Sequence, residues 1–196
     1  LKKETIIELA YQLEIDTWPD GVRASKNTLG SRFDIFPQGF IFKKNKYKPL
    51  LEGSSTSMIL QLESLEDIKS WEEVTTNGTI ENHTPNGNTL YVVSVGASPC
   101  YKGHGVGEYL IQEQIKLAKK LTLNQVVLGS RVPHFHKFKG TIQQYVEKKN
   151  PSGYSIDPLI RFYQKNGFEI FKIKSDYMEN DKESRNFGVL MICQLN

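Results

Sequence analysis

The chain has few of the residues that cross-link a fold or hold a metal: its 196 residues include 2 cysteines and 4 histidines. Cys100 and Cys193 stand far apart, too few for a disulfide framework or a four-thiolate zinc site. They read as reduced thiols in a cytosolic protein. Long apolar runs are missing too. None approaches the roughly 18 residues of a membrane span, and no N-terminal segment joins a basic start to an apolar core as a secretory signal does. Nor does one charge dominate. Lys plus Arg number 25 against 22 Asp plus Glu, too mild a balance for nucleic-acid binding without a clustered basic face. Repeats and low-complexity segments are absent as well. What is present suffices for a core: 38% apolar residues, including 10 Phe and 9 Tyr, in a chain long enough to bury about 70% of its unfolded surface. A single domain over 1–196 is expected, with an insertion near 131–155.

Ile6, Ile7, Leu9, Ala10 and Leu13 recur at helical spacing and predict an amphipathic helix over Lys2 to Leu13. A weaker helix is expected over Val22 to Phe33, broken by Pro37 to Gly39. Gly39 to Lys43 and Met58 to Leu62 read as strands, with Gly53 to Ser57 in a polar loop between them. Ser64 to Glu73 reads as a short helix, and Thr75 to Asn88 as loop. Leu90 to Val95 is nearly continuous in apolar residues, as in a strand covered on both faces. A glycine-punctuated loop over Gly96 to Gly107 follows, then a helix over Glu108 to Leu121 and a strand over Gln125 to Gly129. Arg131 to Pro151 is aromatic and basic and resists assignment. Asp157-Pro158 is a helix start and Gly167 its stop. Glu169 to Lys174 and Phe187 to Gln194 close the chain as strands around a polar loop. The expected class is α+β with a mixed sheet.

The unit of strand, glycine loop and long helix carries the chemistry. Glycines let backbone take positive φ and approach a ligand closely, and a helix start offers unpaired N–H groups to phosphate. Two phosphate loops fail on spacing. Gly107 is followed by Glu108-Tyr109 rather than Lys-Ser/Thr, and Glu108 stands where a dinucleotide fingerprint needs its third glycine. What remains is Lys102-x-x-Gly105-x-Gly107.

That spacing resembles the acetyl-coenzyme A loop of the GNAT N-acetyltransferase superfamily, with Lys102 where Gln or Arg is usual. Phe162-Tyr163-Gln164-Lys165-Asn166-Gly167-Phe168 likewise resembles the superfamily's Phe-Tyr-x-x-x-Gly-Phe, in the expected order along the chain. Leu90-Tyr91, the segment Arg131 to Lys137, Tyr145-Val146, Asp157-Pro158, Tyr177, Asp181 and Ser184 are similar to one bacterial branch. That branch is often fused in front of a carbon–nitrogen hydrolase domain, and none is read after Gln194.

The resemblance implies a three-layer α/β arrangement of the GNAT kind: a mixed, mostly antiparallel sheet flanked by helices and splayed at its centre. It also implies direct acetyl transfer from acetyl-coenzyme A to a primary amine, without a metal. Lys102, Gly103, His104, Gly105, Val106 and Gly107 would hold the pyrophosphate. The backbone of Val93, Ser94 and Val95 would pair with pantetheine and supply an N–H to the oxyanion. Tyr163 is the candidate general acid, or a tyrosine that merely packs the sheet. A phenol gives its proton to a thiolate uphill by roughly 2 kcal/mol, so late transfer is expected. The base is not legible: Leu90 to Ala97 holds no acid, and His134 and His136 are weak candidates that lack a third ligand for a metal role. The alternative is an idle acetyl-coenzyme A sensor, or a docking module for a hydrolase encoded separately. A homodimer is compatible with either, and neither a membrane nor a nucleic acid is an expected partner; an ordinary solvated face explains Lys137, Lys139, Lys148 and Lys149.

Overall fold

The structure is a computed structural model, and it describes residues 1–195. The chain opens with helix α1 (Lys3–Thr17), which buries Ile6, Ile7, Ala10 and Leu13 along one face. Helix α2 (Lys26–Ile35) starts later than hydrophobic spacing suggests. Ser25 caps it, accepting from the Thr28 amide at 3.1 Å, while the residue before is already committed: the Ala24 amide donates to the buried Glu14 carboxylate at 2.8 Å.

Six strands follow: β1 (Ile41–Lys44), β2 (Leu51–Leu60), β3 (Thr89–Ala97), β4 (Gln125–Arg131), β5 (Glu169–Lys174) and β6 (Gly188–Gln194). They form one sheet in the order β1-β2-β3-β4-β6-β5. Every pairing is antiparallel except β3 with β4, which is parallel. The sheet is therefore mixed and mostly antiparallel, as expected. Helix α3 (Trp71–Thr75) precedes β3, α4 (Val106–Lys120) crosses between the parallel strands, and α5 (Ile142–Glu147) and α6 (Pro158–Lys165) lie between β4 and β5. Leu110, Ile111, Ile115 and Ala118 give α4 a buried face, packed on β2 and β3. No helix among the described residues is long and apolar enough to cross a membrane.

The polar stretch Gly53 to Ser57 is not the expected loop. It lies inside β2, and Ser54, Ser55, Thr56 and Ser57 are all buried. Side chains opposite reach two of the hydroxyls, Gln114 Nε2 donating to Ser55 Oγ at 3.1 Å and Arg32 Nη1 to Thr56 Oγ1 at 3.2 Å, and Ser57 Oγ donates to the Gly39 carbonyl at 3.5 Å. Hydroxyls with partners can enter a core that hydropathy alone would deny them. Gly53 is small because α4 crosses it; an added Cβ would meet Val106 Cγ1 at 2.6 Å.

The unassigned segment after β4 folds into a 3₁₀ turn (Phe135–Lys137) and α5. Thr141 and Gln144 form a reciprocal capping box at the start of α5. Tyr145 then donates its hydroxyl to Asp157 Oδ2 at 2.8 Å, while Asp157 Oδ1 caps α6 through the Leu159 and Ile160 amides. The segment is thereby fastened to the start of α6.

Candidate active site

The site begins where the sheet comes apart. β3 pairs with β4 from Thr89↔Gln125 only to Val92↔Leu128. Beyond that point β3 continues to Ala97 against β2, and β4 continues to Arg131 against β6. The central sheet is splayed, as the resemblance implied, and the edge of β3 facing the gap meets no strand. The register of β3 against β2 also slips here: Thr56 faces Ser94 and Ser57 faces Val92, so Val93 is the extra residue of a bulge. A bulge re-aims the side chains beside it. The Val93 carbonyl accepts from Trp71 Nε1 at 3.0 Å, so this group of the β3 edge already holds a donor.

At the end of β3 a 3₁₀ turn (Pro99–Tyr101) leads into the glycine loop. Gly103 and Gly105 have φ of 81° and 70°, and an added Cβ at either would meet no atom within 4 Å. Backbone conformation, not packing, demands these two glycines. Gly105 is the N-cap of α4 and offers no side-chain cap, so the first amides of a 15-residue helix stay available to an anion. Gly107 is small for a different reason: a Cβ there would come within 3.3 Å of Phe162 Cζ on α6.

A groove of about 650 Å³ joins these parts. It runs from Tyr101 to Glu108, along Val92 to Ala97 of β3 and past Leu159, Phe162 and Tyr163 of α6. It ends against Thr17, Trp18, Arg131 and Met178. Val93, Ser94, Val95, Lys102, Gly103, Gly105, Val106, Gly107 and Tyr163 all line it. His104 does not; it is exposed, edge-on to Tyr101. Tyr163 packs edge-on between Phe162 and Phe168, its hydroxyl bonded to no other described residue, and burial pushes its phenol well above the ordinary range.

His134 and His136 lie outside the groove. His136 is exposed, with Nδ1 2.7 Å from the Pro133 carbonyl and 3.2 Å from that of Glu183. Among the described lining residues the one carboxylate is Glu108, at the phosphate-loop end. No three His, Cys, Asp or Glu side chains come together as a metal site among the described residues.

At the far end the resemblance had marked Arg131, Tyr177, Asp181 and Ser184, but not their contacts. Arg131 Nε and Nη2 hold Asp181 at 2.7 and 2.6 Å, Nη2 also reaches Glu183 at 3.0 Å, and the guanidinium lies 5.7 Å from the Trp18 ring centre. Burial pushes the buried Asp181 carboxyl up, but the bonds from Arg131 and Ser184 outweigh it and leave the group below its usual range. Tyr177 drops from the same loop onto two glycines of the sheet, Gly129 and Gly188, and hydrogen-bonds Tyr91. The signal for this was a glycine inside an apolar strand, which marks close approach.

No protein-family model matches the chain. Two curated proteins of Bacillus subtilis (strain 168) do. The chain is 34% identical over 190 residues to the uncharacterized N-acetyltransferase YkwB, covering 96% of this chain and 82% of YkwB. It is 28% identical over 191 residues to the probable hydrolase YhcX, covering 96% of this chain but 37% of YhcX. Among solved structures, the GphF GNAT-like decarboxylase in complex with isobutyryl-CoA superposes with a TM-score of 0.84 at 22% identity, over 100% of this chain and 97% of that one.

Proposed function

The chain belongs to the GNAT N-acetyltransferase family, and from that premise we propose that it moves the acetyl group of acetyl-coenzyme A directly onto a primary amine. The observation that carries this reading is the single groove that joins an uncapped helix start, an unpaired strand edge and a tyrosine. The free amides at the start of α4 suit the pyrophosphate, with Lys102 adding positive charge. Pantetheine is an extended amide chain and suits the open edge of β3, mainly at Ser94 and Val95, since Val93 already serves Trp71. The thioester then falls near Tyr163, whose raised phenol makes full proton transfer to the leaving thiolate costly. Tyr163 acts as a hydrogen-bond donor that completes its transfer late. Among the described lining residues none offers the incoming amine a base at the acyl end, so water or the bulk solvent takes that proton.

The absent base favours one second reading. Loss of carbon dioxide from a carboxylated acyl-coenzyme A, the reaction class named for GphF, needs no base, only a donor to the enolate oxygen. Coenzyme A release across an amine panel, run beside carbon dioxide release from carboxylated acyl-coenzyme A, separates the two. Release that depends on one class of amine supports acetyl transfer. Tight binding with neither product means a sensor.

A further inference from the structure

Arg32 is 2% exposed and has no carboxylate within ion-pair distance among the described residues, although an unpaired buried charge is costly. One of its bonds reaches a residue that lines the groove. Nε donates to the Gly78 carbonyl at 2.7 Å, and Nη1 donates to Thr56 Oγ1 at 3.2 Å and to Ser94 Oγ at 3.4 Å. Thr56 Oγ1 and Ser94 Oγ lie 2.8 Å apart. The same guanidinium stacks on Trp71, 6.0 Å from its ring centre, and Trp71 holds the Val93 carbonyl.

Proton counting orders this cluster. Each hydroxyl has one proton and two lone pairs. Thr56 is 2% exposed, and the one acceptor its proton has among the described residues is Ser94 Oγ. Were Ser94 the donor instead, the Thr56 proton would be buried without a partner, which folded proteins avoid. Thr56 therefore donates to Ser94, Arg32 donates to Ser94 as well, and both lone pairs of Ser94 Oγ are filled. Among the described residues its own proton has no acceptor, and Ser94 lines the groove one residue past the bulge. A hydroxyl that accepts from a cation and a second hydroxyl is a stronger donor than an isolated one.

We propose that the Ser94 hydroxyl, oriented by Thr56 and polarised by Arg32, is the side-chain donor to the substrate's thioester oxygen as negative charge develops there. This rests on the acyl-coenzyme A reading of the groove. Ser94 is then a catalytic residue, while Arg32 acts through it and is a positioning residue. The same donor serves a tetrahedral oxyanion or an enolate, so the assignment does not depend on the acceptor.

Isotope-edited infrared spectra of acetyl-coenzyme A carrying ¹³C at the thioester carbonyl give a direct readout. On the wild-type chain the carbonyl band is expected at lower frequency than in free acetyl-coenzyme A. Ser94→Ala returns it to the free position, Ser94→Thr restores the shift, and affinity for coenzyme A itself is unchanged in both. Turnover with Ser94→Ala falls about 10²–10³-fold, mostly in kcat. Arg32→Lys, which keeps the charge in case Arg32→Met fails to fold, reduces the shift in proportion to its loss of kcat and adds nothing on top of Ser94→Ala. A band in Ser94→Ala identical to wild type overturns the assignment, as does an Arg32→Lys effect that adds fully to that of Ser94→Ala. Acetyl-coenzyme A that fails to bind the wild-type chain overturns the reading of the groove, and this inference with it.

Discussion

At Gly105 the backbone sits at φ 70°, and a side chain there would extend into space that no other residue fills. A β-branched residue meets two separate obstacles. The left-handed conformation costs it about 1–2 kcal/mol, and its methyl groups would stand where, on the proposed reading, phosphate oxygens approach the α4 amides. Gly105→Val is expected to keep the fold with a modest drop in stability and to lose coenzyme A binding, measured by calorimetry beside thermal denaturation. Tyr163 gives the complementary case. Its hydroxyl is bonded to no other described residue, so Tyr163→Phe is expected to change stability by less than about 1 kcal/mol. Turnover falls about 10²–10⁴-fold if the phenol assists the leaving thiolate. Because burial raises this phenol, it stays protonated through the alkaline range, so a rate profile to pH 10 should show no descending limb that vanishes in the Phe variant. Gly105, Gly107 and Tyr163 were legible because spacing marks them. The hydroxyl of Ser94 and the Arg32 behind it were not, although the backbone of Ser94 was expected beside the cofactor: what distinguishes them is a proton count across three segments far apart in the chain.

Between elements, small residues decide how closely parts approach. Gly129 lies in β4 directly under Tyr177, and a Cβ there would come within 2.1 Å of the ring's Cζ. Gly129→Ala must therefore unseat Tyr177 and strain the sheet, an overpacking cost of about 1–3 kcal/mol or more. The expected result is a lower urea midpoint at unchanged slope, with coenzyme A affinity reduced because Gly129 and Met178, beside Tyr177, both line the groove. The two-glycine seat could have been suspected from Gly129 alone, but the tyrosine that fills it comes from a polar loop that no periodicity assigns. β2 was misread for a related reason. Its Ser and Thr run looks solvent-loving until Gln114 and Arg32 are brought against it, and those partners come from helices on either side in sequence. α4 and α6 were read nearly whole because their apolar spacing and their caps, Asp157 and the glycines, are local.

At the scale of the molecule, one end of the groove is lined by segments from opposite ends of the chain. Trp18 and Gly21 follow α1, Met178 and Asn180 precede β6, and a Cβ at Gly21 would touch Asn180 Cβ at 3.2 Å. Arg131 fastens both, stacking on Trp18 while holding the buried Asp181. The hydropathy pattern of neither segment hints at this contact, whereas the sheet class was readable because the strands other than β2 are local runs. The Asp181 carboxyl titrates below its unfolded value of about 3.9. Its contribution to stability is thus complete above pH 3.9 and is lost as pH falls through the lower folded value. Asp181→Asn removes that contribution at every pH and leaves Arg131 with the half-exposed Glu183. Breaking one side of a buried pair costs about 3–5 kcal/mol. Hydrogen exchange at pH 7 should then quicken together in residues 17–24 and 177–186, while the strands from Thr89 to Val92 keep their protection. Faster exchange in the second segment alone would mean that Arg131 holds its own loop but does not tie it to Trp18.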